Sequence, residues 1–98
     1  MKLLGMVVVT AVLLAGTGHA QAAKVTAAQK AEFHAQCMKI ASNETLCTCK
    51  ADAAEELIDE EFMAIVIAAM KGKTAPKELT STYDAYIRKS NAICIPGY

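Results

Sequence analysis

The residues of this chain that carry the most chemistry are its four cysteines, Cys37, Cys47, Cys49 and Cys94. Cysteines either pair as disulfides or, as thiolates, hold a soft cation. Cys47-Thr48-Cys49 is a Cys-x-Cys pair, and His34, Cys37 and Met38 fall close together upstream. Those donor types suit copper(I) or zinc, with Cys47, Cys49, His34 and Met38 as the candidate ligands. An exported chain with an even cysteine count normally oxidises them, and a disulfide sulfur is no metal ligand. Two structural disulfides without a cofactor are therefore the expectation. There is no Cys-x-x-Cys and no βαβ pattern around the pair, so thiol–disulfide exchange is not expected either.

Four cysteines allow three pairings. Helical residues two apart point about 200° from each other, which separates Cys47 from Cys49. Two patterns remain: Cys37–Cys47 with Cys49–Cys94, or Cys37–Cys49 with Cys47–Cys94. The first is slightly preferred. On the helical wheel the central cysteines flank opposite edges of an apolar arc, so each can face a different neighbouring helix.

Other candidates for chemistry are sparse. His34 stands alone, and no nucleophile, base or carboxylate is spaced to work with it, so no catalytic residue is assigned. Asp52, Glu55, Glu56, Asp59, Glu60 and Glu61 crowd one stretch. Their spacing lacks the calcium-hand pattern, leaving a solvated acidic face or a surface for a basic partner. Asn43-Glu44-Thr45 matches the glycosylation sequon, though at a helix–helix turn Asn43 reads better as a cap.

The chain opens with Met1-Lys2 and a nearly unbroken apolar run from Leu3 to Ala15. Gly16-Thr-Gly-His-Ala20 follows, with small residues three before and immediately before a cut after Ala20, the layout of a cleaved secretory signal, with an alternative cut after Ala22. The apolar run is nearer 15 than 20 residues, short for a ~30 Å hydrocarbon core, so no permanent membrane anchor is expected. Residues 1–20 are read as the signal and 21–98 as one domain, periplasmic or secreted. Of ten basic residues only Lys2 leaves with the signal, so the remainder nearly balances ten acidic ones. That balance argues against a nucleic-acid partner. A domain this small is marginal on its core alone, which fits covalent staples.

The elements that must position these residues read as helices. Thr26-Ala-Ala-Gln29 is a capping box, and a first helix is expected over about 27–41, with Phe33, Cys37, Ile40 and Ala41 on one face. Ser42-Asn43 breaks it and caps a second helix, about 44–58, whose stripe is Leu46, Cys49, Ala53 and Leu57, widened by Cys47, Ala54 and Ile58. Asp59 caps a third helix that ends at Lys71-Gly72. Pro76 suits the first turn of a fourth, on which Leu79, Tyr83, Tyr86, Ile87 and Ser90 recur at helical spacing up to Cys94. The fold expected is an all-α bundle of three to four helices stapled by two disulfides.

The Cys37–Cys47 interval resembles half of the twin CX9C helical hairpin, whose second CX9C is absent. The Cys-x-Cys of a small exported helical chain is similar to plant-type lipid-transfer proteins, which have eight cysteines and an adjacent pair. Both resemblances cover cysteine spacing alone, and no function is carried over from either.

Phe62 to Met70 is apolar without interruption, so this helix is expected to be buried all round or to offer surface. Phe62, Met63, Val66, Ile67 and Met70, rimmed by Tyr83 and Tyr86, form the candidate binding surface. The leading functional expectation is a non-enzymatic interaction protein, an inhibitor, immunity-type protein or assembly accessory. Its partner would be another protein of the cell envelope or exterior, with a homodimer possible. The alternatives are a carrier of an apolar ligand between helices three and four, and a soft-metal binder.

Overall fold

A computed structural model describes residues 22–98. The signal expected over 1–20 lies outside them. The described residues form four α-helices: α1 (Ala27–Ala41), α2 (Glu44–Leu57), α3 (Glu60–Met70) and α4 (Thr80–Cys94). A 3-10 turn, Lys77–Leu79, leads into α4. The all-α expectation holds, with two disulfides, Cys37–Cys47 and Cys49–Cys94.

Local chemistry sets the helix ends. The Thr26 hydroxyl accepts from Gln29 N at 3.0 Å, and Gln29 Oε1 accepts from Thr26 N at 3.1 Å, closing the capping box. Gln29 Nε2 also donates to the carbonyl of Glu60 at 2.9 Å, tying the start of α1 to the start of α3. Ser42 ends α1 in the left-handed region (φ 51°), and Asn43 Oδ1 accepts from Leu46 N to start α2. Asp59 Oδ1 accepts from Phe62 N at 2.8 Å. Gly72 (φ 97°) closes α3: its N–H bonds to Ala69 O and that of Lys73 to Ala68 O. This is the Schellman pattern, in which a side chain at the left-handed position would be strained.

Two boundaries differ from expectation. Ile58 is extended and stands outside α2, because Asp59 immediately opens the next helix. Pro76 precedes the 3-10 turn instead of entering the α-helix, which starts four residues later. The segment ahead of α1 adds an unexpected contact. Lys24 pairs with Asp59 in a single antiparallel bridge, and Glu60 N donates to Ala23 O at 2.8 Å. This strap places Val25 in the core.

Packing runs α3–α1–α2–α4. The backbones of α3 and α4 do not pack closely, and aromatic side chains span the gap between them. Phe62 lies 6.0 Å from Tyr83 and 6.3 Å from Tyr86, and the two tyrosine rings are 6.4 Å apart, edge to face. These separations lie in the favourable range for aromatic pairs. The core holds Val25, Phe33, Cys37, Cys47, Met63 and Val66 among others. The most buried stripe of α2 is Cys47, Ala51 and Ala54, so small residues let α1 and α4 approach. Leu46, Cys49 and Leu57, expected at its centre, are half-buried. Ile40, expected on the inward face of α1, is 65% exposed.

Two disulfides mark a protein of a non-cytoplasmic compartment. No helix among the described residues is long and apolar enough to cross a membrane.

Candidate functional site

The site is built from side chains on all four helices, buried or half-buried apart from Ile40, which is exposed at the rim. α1 contributes Phe33 and Ile40, α2 Leu46 and Lys50, and α3 Val66 and Met70. α4 completes the wall with Tyr83, Tyr86, Ile87 and Ser90. Between them lies a pocket of about 170 Å³, open to solvent on the side of Ile40. Beside it, α3 and α4 meet chiefly through the rings of Phe62, Tyr83 and Tyr86. For scale, an engineered cavity of about 150 Å³ lined by aliphatic and aromatic groups holds benzene.

Two polar groups interrupt the apolar lining. Ser90 is 1% exposed, and its Oγ has no hydrogen-bond partner. A buried hydroxyl left unpaired costs about 1–3 kcal/mol. Lys50 is half-buried and donates from Nζ to Asn91 Oδ1. No carboxylate pairs with it among the described residues, and desolvation pushes its ammonium below the ordinary lysine value. The Tyr86 phenol is pushed up to about 12, first by burial and then by Tyr83. The neighbouring Ser90 hydroxyl opposes that rise, although the two hydroxyls do not meet hydrogen-bonding geometry. Burial also raises Tyr83. Both phenols therefore stay protonated at neutral pH and can donate.

The residues expected on a binding surface divide. Val66, Met70, Tyr83 and Tyr86 converge on the cavity. Met63 is 0% exposed, and Ile67 is buried on the side towards α1, so neither offers surface. Val66 and Tyr86 are likewise buried and face only the cavity. Phe62 is half-buried in the aromatic cluster. Nor is α3 covered all round, since Ala64 is exposed while Ile65, Ala68 and Ala69 are half-buried. Sequence reasoning did not place Lys50 and Ser90 in the lining of a pocket. The available signal was a polar residue in an apolar register: Ser90 follows Tyr86 by four, and Lys50 follows Leu46 by four.

The soft-metal set does not form. Cys47 and Cys49 are consumed by separate disulfides, which removes both thiolates. Met38 packs against the core, and His34 Nε2 lies 3.1 Å from Glu44 Oε2. Thr48 Oγ1 donates to the same Glu44 oxygen at 3.0 Å and stands 3.5 Å from His34 Nε2. Hydroxyl and carboxylate thus approach one ring nitrogen. A nucleophile–base–carboxylate relay needs the two nitrogens used separately.

The acidic residues are also divided. Asp52 and Glu55 flank Lys30 Nζ at 2.8 and 2.9 Å, raising that lysine to about 12 through these hydrogen bonds, Asp52 first. Asp59 is spent on its cap, and Glu60 and Glu61 sit in the positive first turn of α3. Glu56 is exposed beside Ile93. A larger groove of about 470 Å³ runs outside Phe62, between Leu57, Ile65 and Leu79. No buried polar atom there lacks a partner, so it shows no comparable demand for a ligand.

Compared with known proteins, the chain matches no family model, no curated protein sequence and no solved structure.

Proposed function

We propose that this chain is a periplasmic or secreted, non-enzymatic binding protein that holds a small apolar molecule in an open apolar pocket lined by all four helices. The observation that carries this reading is the apolar pocket lined by all four helices, whose lining includes Ser90 with its buried, unpartnered hydroxyl. Pockets of this kind, apolar with a few convergent polar groups, are where small ligands bind. The alternative of a protein docked on α3 loses support, because Met63, Val66 and Ile67 are buried. The acidic stretch gives it little help, since Asp52 and Glu55 are already paired with Lys30. The export signal and the two disulfides support a location outside the cytoplasm.

The test is titration of the oxidised protein with benzene and with 1-hexanol, followed by the methyl resonances of Val66 and Ile87. Saturable shifts confined to cavity residues, with a raised Tm, are expected. Shifts that spread over the surface or never saturate at millimolar ligand would remove the reading.

A further inference from the structure

Resting on the binding-protein reading above, we infer that the ligand is a small monocarboxylate, its apolar body of about six carbons in the cavity and its carboxylate at Lys50, with the Ser90 hydroxyl as a second donor. Three observations converge. The first is the missing counterion. Among the described lysines and arginine without a carboxylate partner, Lys50 alone is half-buried, and it has only the neutral amide of Asn91. A charge withdrawn from water without a partner is unfavourable, and a bound anion removes that penalty.

The second is Ser90, which is nine-tenths buried and more, lines the same cavity, and has a hydroxyl with no partner. A carboxylate has two oxygens and accepts from more than one donor, so it can take the ammonium and, after rotation of the Ser90 side chain, the hydroxyl. The third is size and charge count. Lys50 is the one cationic residue in the lining of an apolar space of about 170 Å³, which fits a single negative charge on a short body. A dianion such as a phosphate monoester would keep uncompensated charge in an apolar site. The depressed ammonium of Lys50, caused by desolvation, is consistent with a missing anion, because a nearby carboxylate would raise it.

The experiment compares hexanoate, 1-hexanol and hexylamine, matched in body and different in head, by calorimetry on the oxidised protein. Hexanoate is expected to bind about tenfold or more tightly than hexanol, and hexylamine most weakly. Lys50→Met should bring hexanoate down to the level of hexanol, and Lys50→Arg should keep the preference. Ser90→Leu, which fills the cavity, should abolish binding of all three. Circular dichroism and thiol titration confirm that each variant is folded and oxidised. Hexanol binding as well as hexanoate, or a preference that survives Lys50→Met, would overturn the carboxylate inference and leave the cavity reading standing. If none of the three binds the unaltered protein, both fall. The head-group comparison needs no variant, so it decides even where Lys50→Met does not fold.

Discussion

Cys47 and Cys49 stand two residues apart on α2, yet Cys47 is bonded to Cys37 of α1 and Cys49 to Cys94 of α4. One helix is thereby held covalently on both sides. The residues around these bonds line the cavity: Leu46 and Lys50 bracket the pair on α2, Cys37 itself touches the space, and Ser90 lies one turn before Cys94. The staples fix the spacing of α1, α2 and α4, while α3 is held to the rest by packing and by the Gln29–Glu60 and Ala23–Glu60 hydrogen bonds.

The two disulfides should contribute unequally. Cys49–Cys94 closes a separation of 45 residues and Cys37–Cys47 one of 10. In the chain-entropy description these are worth about 4 and about 3 kcal/mol. Urea unfolding of the Cys49→Ala/Cys94→Ala and Cys37→Ala/Cys47→Ala double variants should show the larger loss for the first. Equal losses, or the reverse order, would mean that native packing around the short bridge outweighs loop entropy.

Ser90→Ala should stabilise the ligand-free protein. The hydroxyl has no partner, so its removal relieves a desolvation cost of about 1 kcal/mol or more. A rise in Tm of about 4–8 °C is expected for each kcal/mol in a domain of this size. A lower Tm would show that the hydroxyl is satisfied in solution.

Met63 and Phe62 neighbour each other on α3 and should respond differently. Met63 is 0% exposed, so Met63→Ala should cost about 2–5 kcal/mol by leaving a cavity, and Met63→Asp should prevent folding. Phe62 is half-buried at the edge of the aromatic cluster. Phe62→Leu retains most of its burial and should lose only about 1–2 kcal/mol, including the aromatic pairing. Chemical denaturation measures both, and similar losses would contradict the burial described.

Stability should fall at high pH through Tyr86. Its folded value of about 12 lies above the ordinary 10.0. Below pH 10 the phenol is protonated folded and unfolded alike, so its full contribution is present. Between pH 10 and 12 only the unfolded chain releases the proton, and about 3 kcal/mol is progressively lost. Tyr83, also raised, acts in the same direction. Lys50 acts oppositely: its folded value lies below 10.5, so deprotonation removes an unfavourable charge as pH rises through that value towards 10.5. Unfolding free energies of the protein and of Tyr86→Phe at pH 9 and pH 11.5 separate these effects. The variant should show the shallower decline.

Much of the fold was legible because its signals are local. The capping box at Thr26-Gln29, the caps at Asn43 and Asp59 and the stop at Gly72 all act within a few residues, so spacing alone reveals them. The Cys47–Cys49 interval excluded a bond between those two for the same reason. Choosing between the remaining pairings required knowing which neighbour each cysteine faces, and that depends on where α1 and α4 lie around α2.

The sequence by itself determined the helices, their ends and the need for two disulfides, because those follow from residues near one another along the chain. Only the tertiary structure decided which apolar residues are core and which are wall. Ile40 falls outside and Met63 inside, although both occupy apolar positions of their helices. The cavity belongs wholly to that second level. It joins Phe33 to Ser90, and Lys50 lacks an anion there because no carboxylate from another helix reaches it. The physical reason is that backbone hydrogen bonding acts over three or four residues, whereas burial and counterion pairing depend on how whole helices pack.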